Sequence, residues 1–241
     1  MPFDQSVARN FRETPYHSFN IEDIKALESD WLTDRVIAFW EEFLGRESLS
    51  QYPRSRIVLL RPVVSHLLVR TTDLEKGASA LPDFRNATHI FLPISDSSYH
   101  GNADSGYHWS LIIVSIVDRL ALHYGSLGSS NGRTARRAVG QLGLVLNVTF
   151  DFHQVEDMPQ QENSKDCGVF VCMLMHHLIF KRLLKTGPTE IVSMSMSGKM
   201  IDIRGGRKEM LRVVKALRKE GKRRRSANPF AGLSNDPPYI G

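Results

Sequence analysis

The spacing of apolar and polar positions predicts alternating helices and strands along most of the chain. Residues 33–44 place their apolar side chains on one helical face, with Thr33 in the N-cap position and Gly45 after the last turn. Short apolar runs at 56–60 and 88–94 are typical of buried strands. This first half therefore mixes amphipathic helices with strands that are buried on both faces.

The second half of the chain continues this alternation. Residues 108–126 contain two apolar strands joined by a turn at Asp118, and residues 148–155 alternate like a further strand. We expect helices over 134–146 and over 167–184, the second of which is apolar on nearly all sides. Helices and strands are segregated enough to predict an α+β domain, with helices packed on a central mixed or antiparallel sheet.

The length of 241 residues accommodates one large domain with flexible ends. We predict a flexible N-terminal segment at 1–19, one folded domain over 20–220 whose last helix covers about 207–220, and a basic disordered tail at 221–241. Residues 187–206 are expected to be flexible. The sequence shows no secretory h-region and no run of about 18 apolar residues, so neither secretion nor membrane insertion is expected.

The net charge of +5 is distributed unevenly along the chain. The segment Arg204–Arg225 holds eleven Lys/Arg and two Glu, a net +9, which leaves −4 for the remaining residues. A mildly acidic body argues against a nucleic-acid-binding core. The run Lys222–Arg225 suggests a nuclear signal beside a cytoplasmic pool, whereas the alternative is an ordinary solvated helix end.

Two cysteines give the first indication of chemistry. Cys167 follows a polar loop and opens a predicted helix, where the helix dipole and unpaired N–H groups favour a thiolate. Its neighbours Asp166 and Gly168 suggest an exposed turn. Cys172 lies inside the apolar run and is better interpreted as a core residue. The absence of a cysteine framework suits a reducing compartment.

A base for this thiol has to come from the nine histidines. His108 stands where a polar loop meets a strand, so its side chain can project from a rigid sheet edge, although the position alone favours a hydrogen-bonded structural histidine. His176 and His177 lie about 14 Å along the Cys167 helix by helical rise, too far to activate the thiol. Neither the histidines nor the cysteines show zinc-ligand spacing, so no metal or cofactor is expected.

These segments resemble the active-site blocks of the Ulp/sentrin-specific cysteine peptidases, a family with an adenain-like fold. The resemblance rests on His108-Trp109, on His123-Tyr-Gly-Ser126, on Gln161-Glu-Asn-Ser-Lys-Asp-Cys-Gly168 and on the WLTD block that opens the helix at Trp31–Trp40. These blocks keep the family order. The chain is most similar to the deneddylase branch, because no long extension precedes them and an Asn/Ser/Gly-rich loop precedes His108.

The resemblance implies a role for each matching catalytic residue. Cys167 would be the nucleophile at a helix N-terminus, within a single adenain/papain-like domain with a central mixed sheet. His108 would be the general base, and the Gln161 amide would stabilise the oxyanion together with the Cys167 backbone N–H. The reaction implied is hydrolysis after the C-terminal Gly-Gly of a ubiquitin-like modifier.

The resemblance also implies how the substrate is bound. Trp31 and Trp109 would wall a narrow channel that admits only glycines, and Asp34 would contact the tail of the modifier. The implied partners are a ubiquitin-like modifier, with the Nedd type favoured, and its conjugates such as cullins. We expect a monomer without nucleic-acid or membrane partners.

One position departs from the family pattern. The family has an aspartate seventeen residues after the histidine, and this chain has Gly125 there. Asp118 is at the hairpin tip, about 30 Å from His108 along the strand, and Ser126 should point to the opposite face. A water, Asn131 or Asp104 could orient the imidazole instead.

The missing acid leaves two functional hypotheses from different classes. The first is an active isopeptidase or processing peptidase of Nedd type, with a sentrin-type (SUMO) peptidase as its nearest alternative. The second is a modifier-binding pseudo-enzyme in which Gly125 has disabled turnover. A third possibility, a domain with accidental motif matches, is disfavoured by four blocks in the family order.

Overall fold

The structure is a computed structural model that describes residues 19–70, 81–95, 108–185 and 192–227. Within these ranges the chain forms six α-helices, which are α1 (Ile21–Ser29), α2 (Asp34–Phe43), α3 (Pro62–Arg70), α4 (Gly132–Leu146), α5 (Cys167–Leu178) and α6 (Ile203–Ala227). It also forms five strands, β1 (Ile57–Leu59), β2 (His89–Ser95), β3 (Trp109–Ser115), β4 (Leu120–Tyr124) and β5 (Asp151–Gln154). Short π-helical segments at Leu44–Ser48 and Ile179–Leu183 extend α2 and α5.

The five strands form one mixed sheet in the order β1-β2-β3-β4-β5. The two outer pairs, β1 with β2 and β4 with β5, are parallel, and the inner pairs are antiparallel. Each parallel pair is connected through a helix, α3 or α4, as parallel neighbours require. The α+β class with a central mixed sheet is therefore confirmed.

Alternate side chains of the sheet enter two separate apolar cores. Phe91, Leu111 and Ile113 face the core built with α2, α5 and α6, while Ile112 and Val114 face the core built with α3 and α4. The first core surrounds α5, which explains why that helix is apolar on nearly all sides. Cys172 lies in this core as expected, and burial raises the pKa of its thiol.

The start of α2 is as predicted, but its end is not. The Thr33 hydroxyl accepts a hydrogen bond from the Val36 N–H, which is the expected N-cap. The same hydroxyl donates to Asp23 of α1, so the cap also ties the two helices together. Gly45 does not end the helix, because the chain continues as a π-helical turn through Ser48.

The region predicted to be flexible before the last helix is ordered where the structure describes it. The Asp157 carboxylate accepts hydrogen bonds from the Ser195 hydroxyl and from the Met196 and Ser197 N–H groups. The last helix begins at Ile203 and runs to Ala227, past the expected end near 220.

Some predictions lie outside the described residues. They are the flexible segment 1–19, apart from the buried Phe19, and most of the basic tail 221–241. Within the described ranges, no helix is long and apolar enough to cross a bilayer.

Candidate active site

Two neighbouring strands bring the histidine motif and the position of the missing acid together. His108 immediately precedes β3, and Tyr124 ends β4. The antiparallel register pairs Leu111 with Tyr124, so the next residue, Gly125, follows on beside Ser110. Gly125 therefore lies directly after β4, next to the start of the strand that follows His108.

The start of α5, at Cys167, reaches this end of the sheet through Leu32. The Trp109 indole donates a hydrogen bond of 3.0 Å to the Leu32 carbonyl. Leu32 also packs on Gly168, where an added Cβ would lie only 2.7 Å from the Leu32 Cβ. The start of β3 and the start of α5 thus contact the same residue, which brings His108 and Cys167 to one end of the sheet.

This packing corrects the expectation of an exposed turn at the nucleophile. Cys167 is 0% exposed, and Gly168 is buried as well. The absence of a side chain at Gly168 allows Leu32 to pack this close to the start of α5.

Cys167 is the first residue of α5 and follows the N-cap residue Asp166. The Asp166 side chain makes no capping hydrogen bond, so it leaves the N–H groups of the first turn to interact with other acceptors. The positive end of the helix dipole and these donors favour a thiolate at this position. The local geometry that was predicted from the sequence is present.

Gln161 is tied to the residue after Gly125. Its backbone N–H donates 2.8 Å to the Ser126 carbonyl, and its Oε1 accepts 2.7 Å from the Ser126 hydroxyl. Its amide nitrogen donates to the Asn163 carbonyl, which uses one of the two N–H bonds of the amide. Ser126 thus binds Gln161 and positions the loop that leads to Cys167.

The predicted substrate-binding residues differ in exposure. Trp31 is half-buried, its indole donates 2.8 Å to the Ser164 carbonyl, and the Lys165 ammonium lies 5.1 Å from its ring centroid. Asp34 is exposed at the start of α2. Trp109 is buried, so Trp31 and Asp34 present more surface to a partner than Trp109 does.

The space beside Gly125 is occupied, contrary to the idea of a vacated acid site. Its backbone is not left-handed, but an added Cβ would lie 2.8 Å from the Gly128 carbonyl oxygen and 3.6 Å from the Gln154 amide nitrogen. The turn after β4 therefore fills the place where a side chain would begin. Asp118 binds Ser115 at the far end of the hairpin, and Asp104 lies outside the described residues.

Asn131 contacts the backbone of His108. Its amide nitrogen donates 2.8 Å to the His108 carbonyl and 3.2 Å to the Ser110 hydroxyl. To make these contacts Asn131 adopts φ +66°, a left-handed conformation that asparagine tolerates better than most residues. Asn131 was one of the groups that could orient the His108 imidazole. These two hydrogen bonds instead hold the backbone of His108 and the side chain of Ser110.

Sequence reasoning missed a second histidine beside this site. His123 is fully buried, with Nδ1 2.6 Å from Gln154 Oε1 and Nε2 2.9 Å from the Ser110 hydroxyl. Burial lowers its pKa, so the imidazole is neutral; Nδ1–H donates to Gln154 and the Ser110 hydroxyl donates to Nε2. A histidine at an inward position of an apolar strand is the signal that could have revealed this network.

Two other features of the described residues lie apart from the motifs. A cavity of about 440 Å³ is lined by residues between Glu41 and Arg61, none of which belongs to the motifs. His176 packs against the Phe180 ring, consistent with a structural role. Among the described residues there is no group of three or more potential metal ligands.

Residues 30–199 match the sequence model of the Ulp1 protease family, C-terminal catalytic domain. The chain belongs to this family. It is 33% identical over 191 residues to NEDD8-specific protease 2 of Schizosaccharomyces pombe, an alignment that covers 78% of this chain and 45% of that protein. It is 29% identical over 154 residues to human sentrin-specific protease 8, covering 62% of this chain and 71% of the relative.

The fold agrees with this membership of the Ulp1 family. A solved structure of the SUMO protease Ulp1, with its catalytic cysteine oxidised to a sulfenic acid, superposes with a TM-score of 0.57 at 17% identity and covers 90% of this chain and 98% of that one. The Xanthomonas campestris effector XopD bound to ubiquitin gives 0.56 at 21% identity and covers 77% and 91%. The chain spans less than half the length of the S. pombe relative.

Proposed function

We propose that this chain is a thiol peptidase that cleaves after the C-terminal Gly-Gly of a Nedd-type modifier, in precursors or in conjugates such as those of cullins. The observation that carries the proposal is the placement of Cys167 at the start of α5, joined through Leu32 to the strand that follows His108. The Nedd type is favoured because two S. pombe relatives, 33% and 32% identical, are named NEDD8-specific proteases.

In this proposal the reaction runs through a thioester. His108 takes the proton of the Cys167 thiol, the thiolate attacks the carbonyl carbon of the last glycine, and the amine leaves with the proton that His108 returns. Water then hydrolyses the thioester and regenerates the thiol. The remaining N–H of the Gln161 amide and the Cys167 backbone N–H stabilise the oxyanion in both steps.

The burial of Cys167 supports selection for a glycine tail. Cys167 is fully buried, so the segment that reaches its sulfur has to be narrow, and a Gly-Gly terminus carries no side chains. Trp31 and Asp34 bind the preceding residues of the modifier in our proposal.

A specific observation favours one alternative. Gly125 replaces the acid that would orient His108, and the space where its side chain would begin is filled by the Gly128 carbonyl. The chain could therefore bind a modifier without cleaving it. Removal of the aspartate from a Ser-His-Asp triad costs about 10⁴ in kcat, although a cysteine site keeps the support of its helix dipole. A sentrin-type specificity is the other alternative, because Ulp1 structures share the fold.

One experiment separates these possibilities. The protein is incubated with Nedd-type, SUMO and ubiquitin probes that carry a C-terminal electrophile, and in parallel with the three precursors. We expect an adduct at Cys167 with the Nedd-type probe and turnover of its precursor, with Cys167→Ser as the blank and Cys172→Ser as the matched control. An adduct without turnover of any precursor would support the modifier-binding pseudo-enzyme. Equal rates on all three precursors would contradict the Nedd preference. The absence of an adduct would contradict the assignment of Cys167 as the nucleophile.

A further inference from the structure

The basic helix α6 contacts the loop before Cys167 through one largely enclosed arginine, Arg207. Arg207 is only 11% exposed in its side chain, although it belongs to the segment that composition marks as solvated charge. This residue lies outside the range 30–199 that matches the family. Its position therefore indicates a contribution that the family motifs do not describe.

All three guanidinium nitrogens of Arg207 are engaged. Nε and Nη2 donate 3.1 and 2.7 Å to the Asp166 carboxylate, and Nη2 also approaches the Lys165 carbonyl at 3.3 Å. Nη1 donates 2.6 Å to the Ala26 carbonyl, and Nη2 donates 2.9 Å to the Asp30 carbonyl. Only a planar fork with five N–H donors can serve this many acceptors on two separate segments.

One of these segments is the C-terminal end of α1. Its last turn contains no basic residue of its own, and its terminal carbonyls need donors. Arg207 supplies both the positive charge and the donors from a distant part of the chain. The other segment is Lys165-Asp166, which directly precedes Cys167.

Trp31, which would wall the proposed tail channel, is connected to the two segments that Arg207 joins; we call this set of Arg207 contacts the clamp. Trp31 follows Asp30, and its indole is bonded to Ser164 of the nucleophile loop. The Lys165 ammonium forms an ion pair with the Asp30 carboxylate at 3.4 Å. Arg207 thus holds together the two segments that place Trp31 beside the loop leading to Cys167.

Gly206 allows α6 to come this close to α5, because a Cβ at this position would lie 2.7 Å from Met173. Its neighbour Gly205 serves the start of the helix itself, since its N–H donates to the Asp202 carboxylate and a Cβ there would overlap that carboxylate. Glycines are unfavourable in helices, so Gly206 in the first turn of α6 indicates that close approach to α5 is needed there.

We propose that Arg207 is a positioning residue of the candidate active site. Helix α6, which carries Arg207, therefore contributes to the geometry of that site. Arg207 neutralises Asp166 beside the nucleophile and fixes the loop relative to Trp31. Without it, the Asp166 carboxylate would keep the neutral Asn163 amide as a donor but would lose its cationic partner, and its charge would oppose thiolate formation at Cys167. The loop would also be free to shift, and displacements of about 1 Å at an active site can cost about 10²-fold in rate. This inference deepens the proposed function and rests on it for substrate turnover only.

The test combines a thiolate titration with kinetics. The thiolate is followed by its ultraviolet absorbance against pH, with Cys167→Ser as the blank, because this measurement needs no substrate. Variants are Arg207→Gln, Arg207→Lys and the double variant Arg207→Gln/Asp166→Asn. The matched control is Arg212→Gln, which removes an arginine of the same helix that pairs with Glu209 at the surface.

We expect Arg207→Gln to move the thiolate midpoint upwards and to lower kcat/KM on a Nedd-type precursor about 10²-fold, while Arg212→Gln changes neither. The added Asp166→Asn should return the midpoint towards that of the parent chain without restoring the rate, since the loop stays untied. Arg207→Lys keeps the charge but not the fork, so its midpoint should stay near the parent value and its rate should fall.

The outcomes distinguish this inference from the proposed function. If no precursor is cleaved but Arg207→Gln alone shifts the midpoint, the clamp stands and the peptidase assignment fails. If the precursor is cleaved and Arg207→Gln equals Arg212→Gln in both measurements, the clamp is wrong. If circular dichroism shows that Arg207→Gln does not fold, the Arg207→Lys variant is used instead. A kcat/KM equal to that of the parent chain in Arg207→Lys would overturn the proposal.

Discussion

The substitution Gly125→Asp restores the family acid at the one position where this chain departs from the family pattern. The sequence predicts a gain in kcat, because a carboxylate there would fix the tautomer of His108 and stabilise its imidazolium. The structure adds a steric cost to this gain. The first side-chain atom would meet the Gly128 carbonyl oxygen at 2.8 Å, so the turn after β4 has to move before any acid can act.

The size of this cost follows from the contact. Ordinary contact begins at about 3.4 Å, so the Gly128 carbonyl has to retreat by about 0.6 Å. Overpacking of this kind costs about 1–3 kcal/mol, whereas domains have about 5–15 kcal/mol of stability, so the variant should still fold. Gly125→Ala carries the same Cβ without the carboxylate and is the matched control.

The comparison of the two variants isolates the acid. Urea denaturation should show both variants destabilised by similar amounts relative to the parent chain. At saturating Nedd-type precursor, kcat of Gly125→Asp should exceed that of Gly125→Ala by about 10- to 10⁴-fold, bounded above by the effect of the aspartate in a Ser-His-Asp triad. Equal turnover in two folded variants would show that the acid does not belong at 125, and unchanged stability of Gly125→Ala would contradict the close contact.

Three further predictions concern other parts of the chain. Asn131→Gly keeps the left-handed backbone but deletes the donor to the His108 carbonyl; we expect a loss of about 1–3 kcal/mol in urea denaturation and a fall in kcat, and parental values would contradict the anchoring role. Burial raises the pKa of Glu47 from 4.5 to about 7, so the stability that its neutral form contributes is complete below pH 4.5 and is lost as the pH rises through 7. Glu47→Gln should therefore raise Tm at pH 8 and change it little at pH 4.5. An equal change in Tm at both pH values would refute the assignment. We also propose that Lys222–Arg225 directs part of a cytoplasmic pool to the nucleus; alanine at these four positions should lower the nuclear fraction of a fusion too large to diffuse, and an unchanged distribution would leave the run as solvated charge.

Local patterns in the sequence were sufficient to place most of the helices and strands and the start of the helix at Cys167. The N-cap at Thr33, the burial of α5 on all sides and the start of that helix at Cys167 depend on residues within a few positions of one another. Capping and side-chain periodicity are properties of neighbouring residues, so they can be predicted from a single sequence. The pairing of the strands after His108 and before Gly125 followed from the short turn between them.

The remaining features were decided by contacts between distant parts of the chain. Leu32, from the connection between α1 and α2, packs on Gly168 beside the buried Cys167, and Arg207 is a clamp because α6 docks beside Asp166. No local pattern distinguishes Arg207 from the solvated arginines around it, since its role depends on acceptors more than 40 residues away in sequence. The sequence by itself determined the family motifs and the helix that begins at Cys167, and the tertiary structure decided how these residues are enclosed and held, because close packing depends on which surfaces meet.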